Sequence, residues 1–202
     1  LVPSNIAALP AFRAELKTLG RELIAPLATG ALGGLVGALT LVWLGGNLFA
    51  SAVPYLMGFA TLLFATAPYI KRALEQRGGT RAKRGAITPM LLLFGFSVYG
   101  GYFGAGLGQI ILAALILNGY DDFHVTNALK NAVIAAISLL SVAVYGLSGA
   151  VSFPHAIIMM LGATVGGYLG GSMSKRVPQD ALRIGVIIFG ALLTLYYFFA
   201  AP

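Results

Sequence analysis

The stretch GFSVYGGYFGAGLGQIILAAL, residues 95–115, decides the fold, because it is apolar enough for a membrane and yet rich in glycine. It lies within an apolar run that extends over residues 87–119. Six of the fourteen residues from 95 to 108 are glycine, and each glycine costs a helix interior roughly 1 kcal/mol relative to alanine. One continuous helix is therefore a poor prediction for this stretch.

The composition of the 202-residue chain is that of an integral membrane protein. Hydrophobic residues make up 58% of the chain and charged residues 9%, whereas a soluble domain carries about 25% charged residues. The apolar runs are long and do not alternate with polar residues, so they predict membrane-spanning α-helices. The net charge of +7 indicates no nucleic-acid partner, because the basic residues lie in short connections between apolar runs.

The apolar spans and their connections predict a topology. The predicted spans are residues 24–44, 53–70, 87–119, 125–147, 155–174 and 181–200. Basic residues gather in the connections 71–86 and 175–183, which the positive-inside rule places in the cytoplasm. The connections 45–52 and 147–154 carry no Lys, Arg, Asp or Glu and are predicted to lie outside.

This topology requires the run 87–119 to enter and leave the membrane on the same side. A single crossing there would place the basic connection 175–183 outside the cell and break the positive-inside rule. A membrane segment can bend back only where its helix is broken, and glycine permits such a break. The sequence therefore predicts a re-entrant helical hairpin that turns near residues 100–108.

Two glycine-rich segments suggest an internal repeat. GALGGLVGA (30–38) and ATVGGYLGG (163–171) align at an offset of 133 residues. The predicted topology gives the two copies opposite directions, as in the inverted repeats of secondary transporters. The predicted fold is an all-α polytopic membrane protein, an inverted-repeat transporter with a re-entrant glycine-rich hairpin.

The same offset divides the chain into two repeats. Residues 1–86 are predicted to be the remainder of an N-terminal repeat, with a surface segment, two spans and a basic cytoplasmic loop. Residues 87–202 are predicted to be a C-terminal repeat, with the hairpin and three spans. The counterpart of the hairpin would fall before residue 1, so we expect it to be either absent from this chain or unresolved.

A polar cluster, GYDDFHVTNALKNAV (119–133), follows the hairpin. On a helix that begins near His124, Asn127 and Asn131 share a face with that histidine, and Lys130 lies beside it. The asparagines offer hydrogen-bond donors to an oxyanion, or they hydrogen-bond to a neighbouring helix. Lys130 offers a positive charge, or it extends to the interface with its charge in water. His124 is a candidate for proton coupling or for capping the helix.

The broken helix provides a second set of donors. Free backbone N–H groups remain at the N-terminus of its second half, where the helix dipole is positive. Gly104, Gly106 and Gly108 would allow a small anion to approach these groups, with Gln109 as a neighbouring donor. The alternative is that the glycines only allow the hairpin to pack closely against the repeated glycine-rich segments.

These motifs resemble those of a known family. YGGYFGAGLGQIILAAL, NALKNAV, GAVSFPHAIIMMLGATVGGYLGG and RVPQDALRIGV resemble the C-terminal half of the TauE/SafE sulfite exporter family, also called the toluene sulfonate uptake permease family. LGGLVGALTLVWLGGNLFASAVPYLM resembles the later part of its N-terminal half. The resemblance implies a substrate-binding role for two sets of residues: Gly100, Gly101, Gly104, Gly106 and Gly108 in the glycine-rich motif, and Asn127, Lys130 and Asn131 in the polar motif.

The resemblance implies a transporter in the bacterial inner membrane, the cell membrane, that moves small sulfur-containing or organic anions such as sulfite or sulfonates. The sequence therefore predicts a multi-pass secondary transporter, an exporter, working by alternating access with a small anion and the lipid bilayer as partners. Candidate additional partners are a coupling ion, proton or sodium, and further copies of the chain. A passive anion channel and a non-transporting membrane scaffold are the alternatives. Without a nucleophile–base pair, a metal-ligand set or cysteine, the sequence predicts no enzyme, no metal and no cofactor.

Overall fold

The computed structural model describes residues 13–76, 87–120, 122–149, 151–174 and 179–200, and these residues form helices joined by turns. The α-helices are α1 (Arg13–Leu19), α2 (Ile24–Gln76), α3 (Ile87–Tyr102), α4 (Leu107–Leu117), α5 (Phe123–Leu147), α6 (Phe153–Ser174) and α7 (Gln179–Ala200), with a 3₁₀ turn at Gly20–Leu23. Three helical segments within these residues are long and apolar enough to cross a membrane: Leu16–Gly46, Leu48–Thr66 and His124–Leu147. The prediction of an all-α membrane protein is confirmed.

Helix α2 is broken by a kink at the start of the predicted connection 45–52, and this kink separates the spans Leu16–Gly46 and Leu48–Thr66. Gly45 has φ 77° and ψ 169°, values outside the helical region, and the helix resumes directly afterwards. A positive φ is readily adopted by glycine, which has no Cβ to clash with the backbone. The connection is therefore shorter than predicted, because the following residues, among them Leu48 and Ala50, are good helix formers and are already helical.

The run 87–119 is broken within the predicted interval. Helix α3 ends at Tyr102 and α4 begins at Leu107. Between them Gly104 and Gly106 have φ values of 79° and 71°, the left-handed region that favours glycine. The two helices pack on each other, since a Cβ on Gly100 would lie only 2.6 Å from Leu107 Cδ1. We call α3, the break 103–106 and α4 the hairpin segment; its re-entrant course stays a prediction.

The first glycine-rich copy packs α2 tightly against two other helices. A Cβ on Gly33 would lie 2.6 Å from Ser97 Cβ of α3, and one on Gly34 would lie 2.9 Å from Ile137 Cγ2 of α5. Because these positions have no side chain, both neighbours approach the backbone of α2 directly. Beside this contact lies a buried apolar core that includes Leu93, Ile111, Leu115, Leu129, Val133 and Ile137. The prediction that the hairpin segment packs closely on this glycine-rich copy is confirmed.

The second glycine-rich copy has different surroundings. A Cβ on Gly162 or Gly166 of α6 would meet no atom within 4 Å, and residues 154–166 are all exposed. Most of these exposed side chains are apolar, as expected for a helix that faces lipid hydrocarbon. The predicted packing of the hairpin segment on this copy is therefore absent at Gly166.

Helix α7 packs against the second half of α2. The contacts pair Tyr55 with Phe198, Gly58 with Thr194 and Thr61 with Gly190. The residue number on α7 falls as the number on α2 rises, so the two helices run antiparallel. At the offset of 133, residues 58 and 61 correspond to 191 and 194, so the contact joins equivalent parts of the two predicted repeats.

We predict that Gly101→Ala destabilises the protein while Gly95→Ala on the same helix does not. A Cβ on Gly101 would overlap the backbone carbonyl of Gly34, whereas one on Gly95 would meet nothing within 4 Å. Overpacking against a backbone that cannot rotate away costs about 1–3 kcal/mol. Thermal unfolding of the purified protein in detergent should therefore show a lower Tm for Gly101→Ala only, and equal values for the two variants would contradict this packing.

Candidate anion-binding site

A cavity of about 830 Å³ lies between the hairpin segment, α5 and α2. Its wall from the hairpin segment is formed by residues 100–109. Its wall from α2 is formed by Leu41, Phe49 and Phe64, and its wall from α5 by Lys130, Asn131, Ile134, Ser138, Ser141, Val142 and Tyr145. The α5 residues recur at intervals of three and four, so a single face of that helix lines the cavity.

The first turn of α5 is fixed by a cap and two further hydrogen bonds. The Asp122 side chain is the N-cap and accepts from the Val125 N–H at 2.9 Å. The Thr126 hydroxyl donates to the carbonyl oxygens of Asp122, at 2.6 Å, and Tyr120, at 3.0 Å. The cap is therefore Asp122 and not His124. These contacts set where α5 begins and hence which of its residues face the cavity.

Lys130 supplies the positive charge of the cavity wall. It is the one charged side chain among the described residues that line the cavity. Its ammonium donates to Asn127 Oδ1 at 2.7 Å, and the side chain is partly buried. Asn127 lies one helical turn before Lys130 and is not part of the cavity wall. The structure thus places Asn127 as a partner of the lysine, while Asn131 lies on the wall itself.

The N-terminus of α4 presents unpaired backbone donors to the same cavity. Gly106 is the N-cap of α4 and provides no side-chain hydrogen bond, and the Gln109 N–H donates to the Gly106 carbonyl at 3.2 Å. The N–H groups of Leu107 and Gly108 have no acceptor within the described residues. Both residues line the cavity. The positive end of the helix dipole therefore lies on the wall of the same cavity as Lys130.

Two tyrosines hold the backbone of the break. Tyr99 Oη donates to the Ala105 carbonyl at 2.9 Å, and Tyr145 Oη donates to the Gly101 carbonyl. The Phe103 N–H donates to the Tyr99 carbonyl at 2.9 Å and closes the last turn of α3. Non-helical backbone at membrane depth is tolerated only where its polar groups have partners or line a cavity. The tyrosines supply such partners for two carbonyls.

Most of the sequence-predicted residues meet at this cavity. Gly100, Gly101, Gly104, Gly106, Gly108, Gln109, Lys130 and Asn131 all line it. Gly101 is also a packing position, as its contact with α2 shows, whereas a Cβ on Gly108 would meet nothing within 4 Å. His124 is exposed and lies outside the cavity wall, as Asn127 does. The binding roles of these residues, and proton coupling by His124, stay predictions.

The sequence pattern did not single out Tyr145, Ser138 or Ser141, although all three line the cavity. A usable signal was present, because residues 131, 138 and 145 are spaced by seven and so share one helical face. Extending the face of Asn131 along the helix would have found them. The sequence holds no comparable signal for the α2 residues that line the cavity, because their place there depends on how α2 packs against the other helices.

Helical segments of membrane length, together with a cavity that has Lys130 and Asn131 on its wall, define this molecule as a polytopic α-helical membrane protein with a candidate solute site. Compared with protein families, the chain matches the family described as sulfite exporter TauE/SafE over residues 1–197. The chain therefore belongs to the TauE/SafE sulfite exporter family, a family of membrane transporters, as its motifs suggested. Neither the curated proteins nor the solved structures compared with the chain gave a match.

We predict that Tyr145→Phe loosens the break without unfolding the protein. The variant leaves the Gly101 carbonyl without its hydroxyl donor, and such a hydrogen bond contributes about 1 kcal/mol. Hydrogen exchange of the peptide covering residues 99–106 should therefore become roughly five-fold faster. Tyr196→Phe, at an exposed position on α7, is the matched control, and equal exchange in both variants would show that Tyr145 does not hold the break.

Proposed function

We propose that the protein is a secondary transporter that exports small sulfur-containing or organic anions, such as sulfite or a sulfonate, by alternating access. The observation that carries this proposal is the meeting of Lys130 and the unpaired N–H groups of Leu107 and Gly108 at one cavity. No carboxylate is present among the described residues of the cavity wall. An anion removed from water needs both opposite charge and hydrogen-bond donors, and this wall supplies both.

The anion would be held between the hairpin segment and α5. Its oxygens would accept from the N–H groups of Leu107 and Gly108, which a small anion can reach because Gly108 has no side chain. The amides of Gln109 and Asn131 would donate to oxygens that remain. Lys130 would exchange its bond with Asn127 for a charge-assisted bond to the anion, so Asn127 would hold the ammonium in place while the cavity is empty.

The size and lining of the cavity favour a class of anions over a single one. A volume of about 830 Å³ is in the range of pockets for drug-sized ligands, and it leaves room for an organic group attached to a sulfonate. The α2 wall is apolar, with Leu41, Phe49 and Phe64. An apolar wall opposite a charged one would accept the hydrocarbon part of a sulfonate while its oxygens face the donors.

The antiparallel contact between α2 and α7 supports the inverted repeat. Residues equivalent under the offset of 133 meet in that contact, and they run in opposite directions. This is the relation that an inverted-topology repeat requires. Two such halves would expose the cavity to either side of the membrane in turn by moving against each other.

The lengths of α3 and α4 support the re-entrant course. They have 16 and 11 residues, or roughly 24 and 16 Å at 1.5 Å per residue. The hydrocarbon core of a bilayer is about 30 Å thick, so neither helix crosses it alone. Cytoplasmic placement of loops 71–86 and 175–183 in the bacterial inner membrane follows from the charge pattern; residues 77–86 and 175–178 lie outside the described residues.

We predict that Lys130→Ala lowers sulfite flux in proteoliposomes by roughly ten-fold or more, because a hydrogen bond to a charged group contributes about 1.5–3 kcal/mol. Lys17→Ala is the matched control, since Lys17 is an exposed lysine of α1 outside the cavity. Saturable flux coupled to an ion gradient distinguishes a transporter from a channel. Equal and small effects of the two variants would identify Lys130 as an interfacial lysine and remove it from the site.

We predict that single cysteines report the re-entrant course directly, because the chain has no cysteine of its own. Thr88, His124 and Ser148 are exposed positions at the start of α3, the start of α5 and just after the end of α5. Cysteines at 88 and 124 should react with a membrane-impermeant thiol reagent from one side, and a cysteine at 148 from the other. Reaction of 88 and 124 from opposite sides would mean that the hairpin segment crosses the membrane once.

A further inference from the structure

Ser141 is a buried polar residue that has no role in the proposed anion site. It lies on the same face of α5 as Lys130 and lines the same cavity. Its side chain is 7% exposed, and its Oγ has no hydrogen-bond partner within the described residues. Buried hydroxyl groups are normally hydrogen-bonded, so an unpartnered one needs an explanation.

The absence of a partner is not forced by the position of Ser141 on a helix. A helical serine or threonine can donate to the carbonyl four residues before it, and Ser97 does so to Leu93 O at 2.7 Å. Thr61 and Thr194 form the same kind of bond. The hydroxyl of Ser141 makes no such bond, and it lies one rotatable bond from the backbone. It is therefore free to turn toward a ligand in the cavity.

The distance between Ser141 and Lys130 excludes one small anion from binding both residues at once. They lie eleven positions apart, which corresponds to roughly 16 Å along the helix axis. Ser138 lies one turn before Ser141 and also lines the cavity. The cavity thus has a charged end, with Lys130, and an uncharged end with two hydroxyl groups.

We propose that Ser138 and Ser141 form a second anion subsite, which takes the oxygens of the same sulfite or sulfonate after it leaves Lys130. This inference rests on the proposed transport function. Conduction through a site requires binding that is strong enough for entry and weak or multiple enough for exit. Two neutral hydroxyl donors bind an anion more weakly than an ammonium does. The anion therefore moves along α5 in two steps, from Lys130 to the two serines.

The test is Ser141→Ala, with Ser97→Ala as the matched control. Both serines are buried, but only the Ser97 hydroxyl is satisfied inside its own helix. Removing an unsatisfied hydroxyl relieves a penalty, so Ser141→Ala should keep or raise the Tm. Sulfite flux in proteoliposomes should nevertheless fall roughly ten-fold, the loss expected for a hydrogen bond to a charged group, and Ser97→Ala should keep wild-type flux.

Flux of Ser141→Ala equal to that of the wild type would overturn the subsite, and so would a loss of flux matched by a lower Tm. Thermal stabilisation by added sulfite separates the subsite from the transport function. If the wild-type protein binds sulfite but shows no flux, the proposed transport function is contradicted and the subsite is not. In that case the subsite stands if Ser141→Ala weakens the stabilisation by sulfite, and it is overturned if the variant and the wild type are stabilised equally or not at all.

Discussion

The structure depends on the requirement that backbone polar groups removed from water have partners. A continuous helix meets this requirement by itself, but the break at residues 103–106 exposes carbonyls and N–H groups that it cannot pair internally. Tyr99 and Tyr145 donate to two of the carbonyls. The N–H groups of Leu107 and Gly108 remain without an acceptor among the described residues and line the cavity. The paired carbonyls hold the break, and the unpaired N–H groups belong to residues that line the cavity.

The same requirement explains why α2 carries its glycines where it does. The break can be held only if α3 and α5 lie close together, because Tyr145 of α5 reaches a carbonyl of α3. Gly33 and Gly34 let both helices contact the backbone of α2 and so bring them together. The buried core beside this contact holds the arrangement by apolar packing. The glycines of α2 therefore act on the site without lining it.

The parts of this architecture that follow from local physics were predictable from the sequence. The break was predictable because six glycines in fourteen residues weaken any helix. Lys130 and Asn131 were predictable as candidate site residues because charged and polar groups are rare at membrane depth. The separation of the spans on either side of Gly45 was predicted as well, but the connection is shorter than residues 45–52, because an uncharged stretch does not reveal where a helix resumes. The bond between Asn127 and Lys130 was not predictable, because it depends on a side-chain rotamer. Leu41, Phe49 and Phe64 meet the cavity only through tertiary packing, which no spacing encodes.

The kink in α2 divides the α2 wall of the cavity into two parts. Leu41 precedes Gly45 while Phe49 and Phe64 follow it, and all three line the same space. The ring of Phe49 also contacts Tyr102 and Phe103, with centroids 5.7 and 6.3 Å away, at the edge of the break. A rotation about the backbone of Gly45 would swing one part of the wall against the other and press on the break through these rings. The backbone angles of this single glycine therefore set the relative orientation of the two parts of the wall.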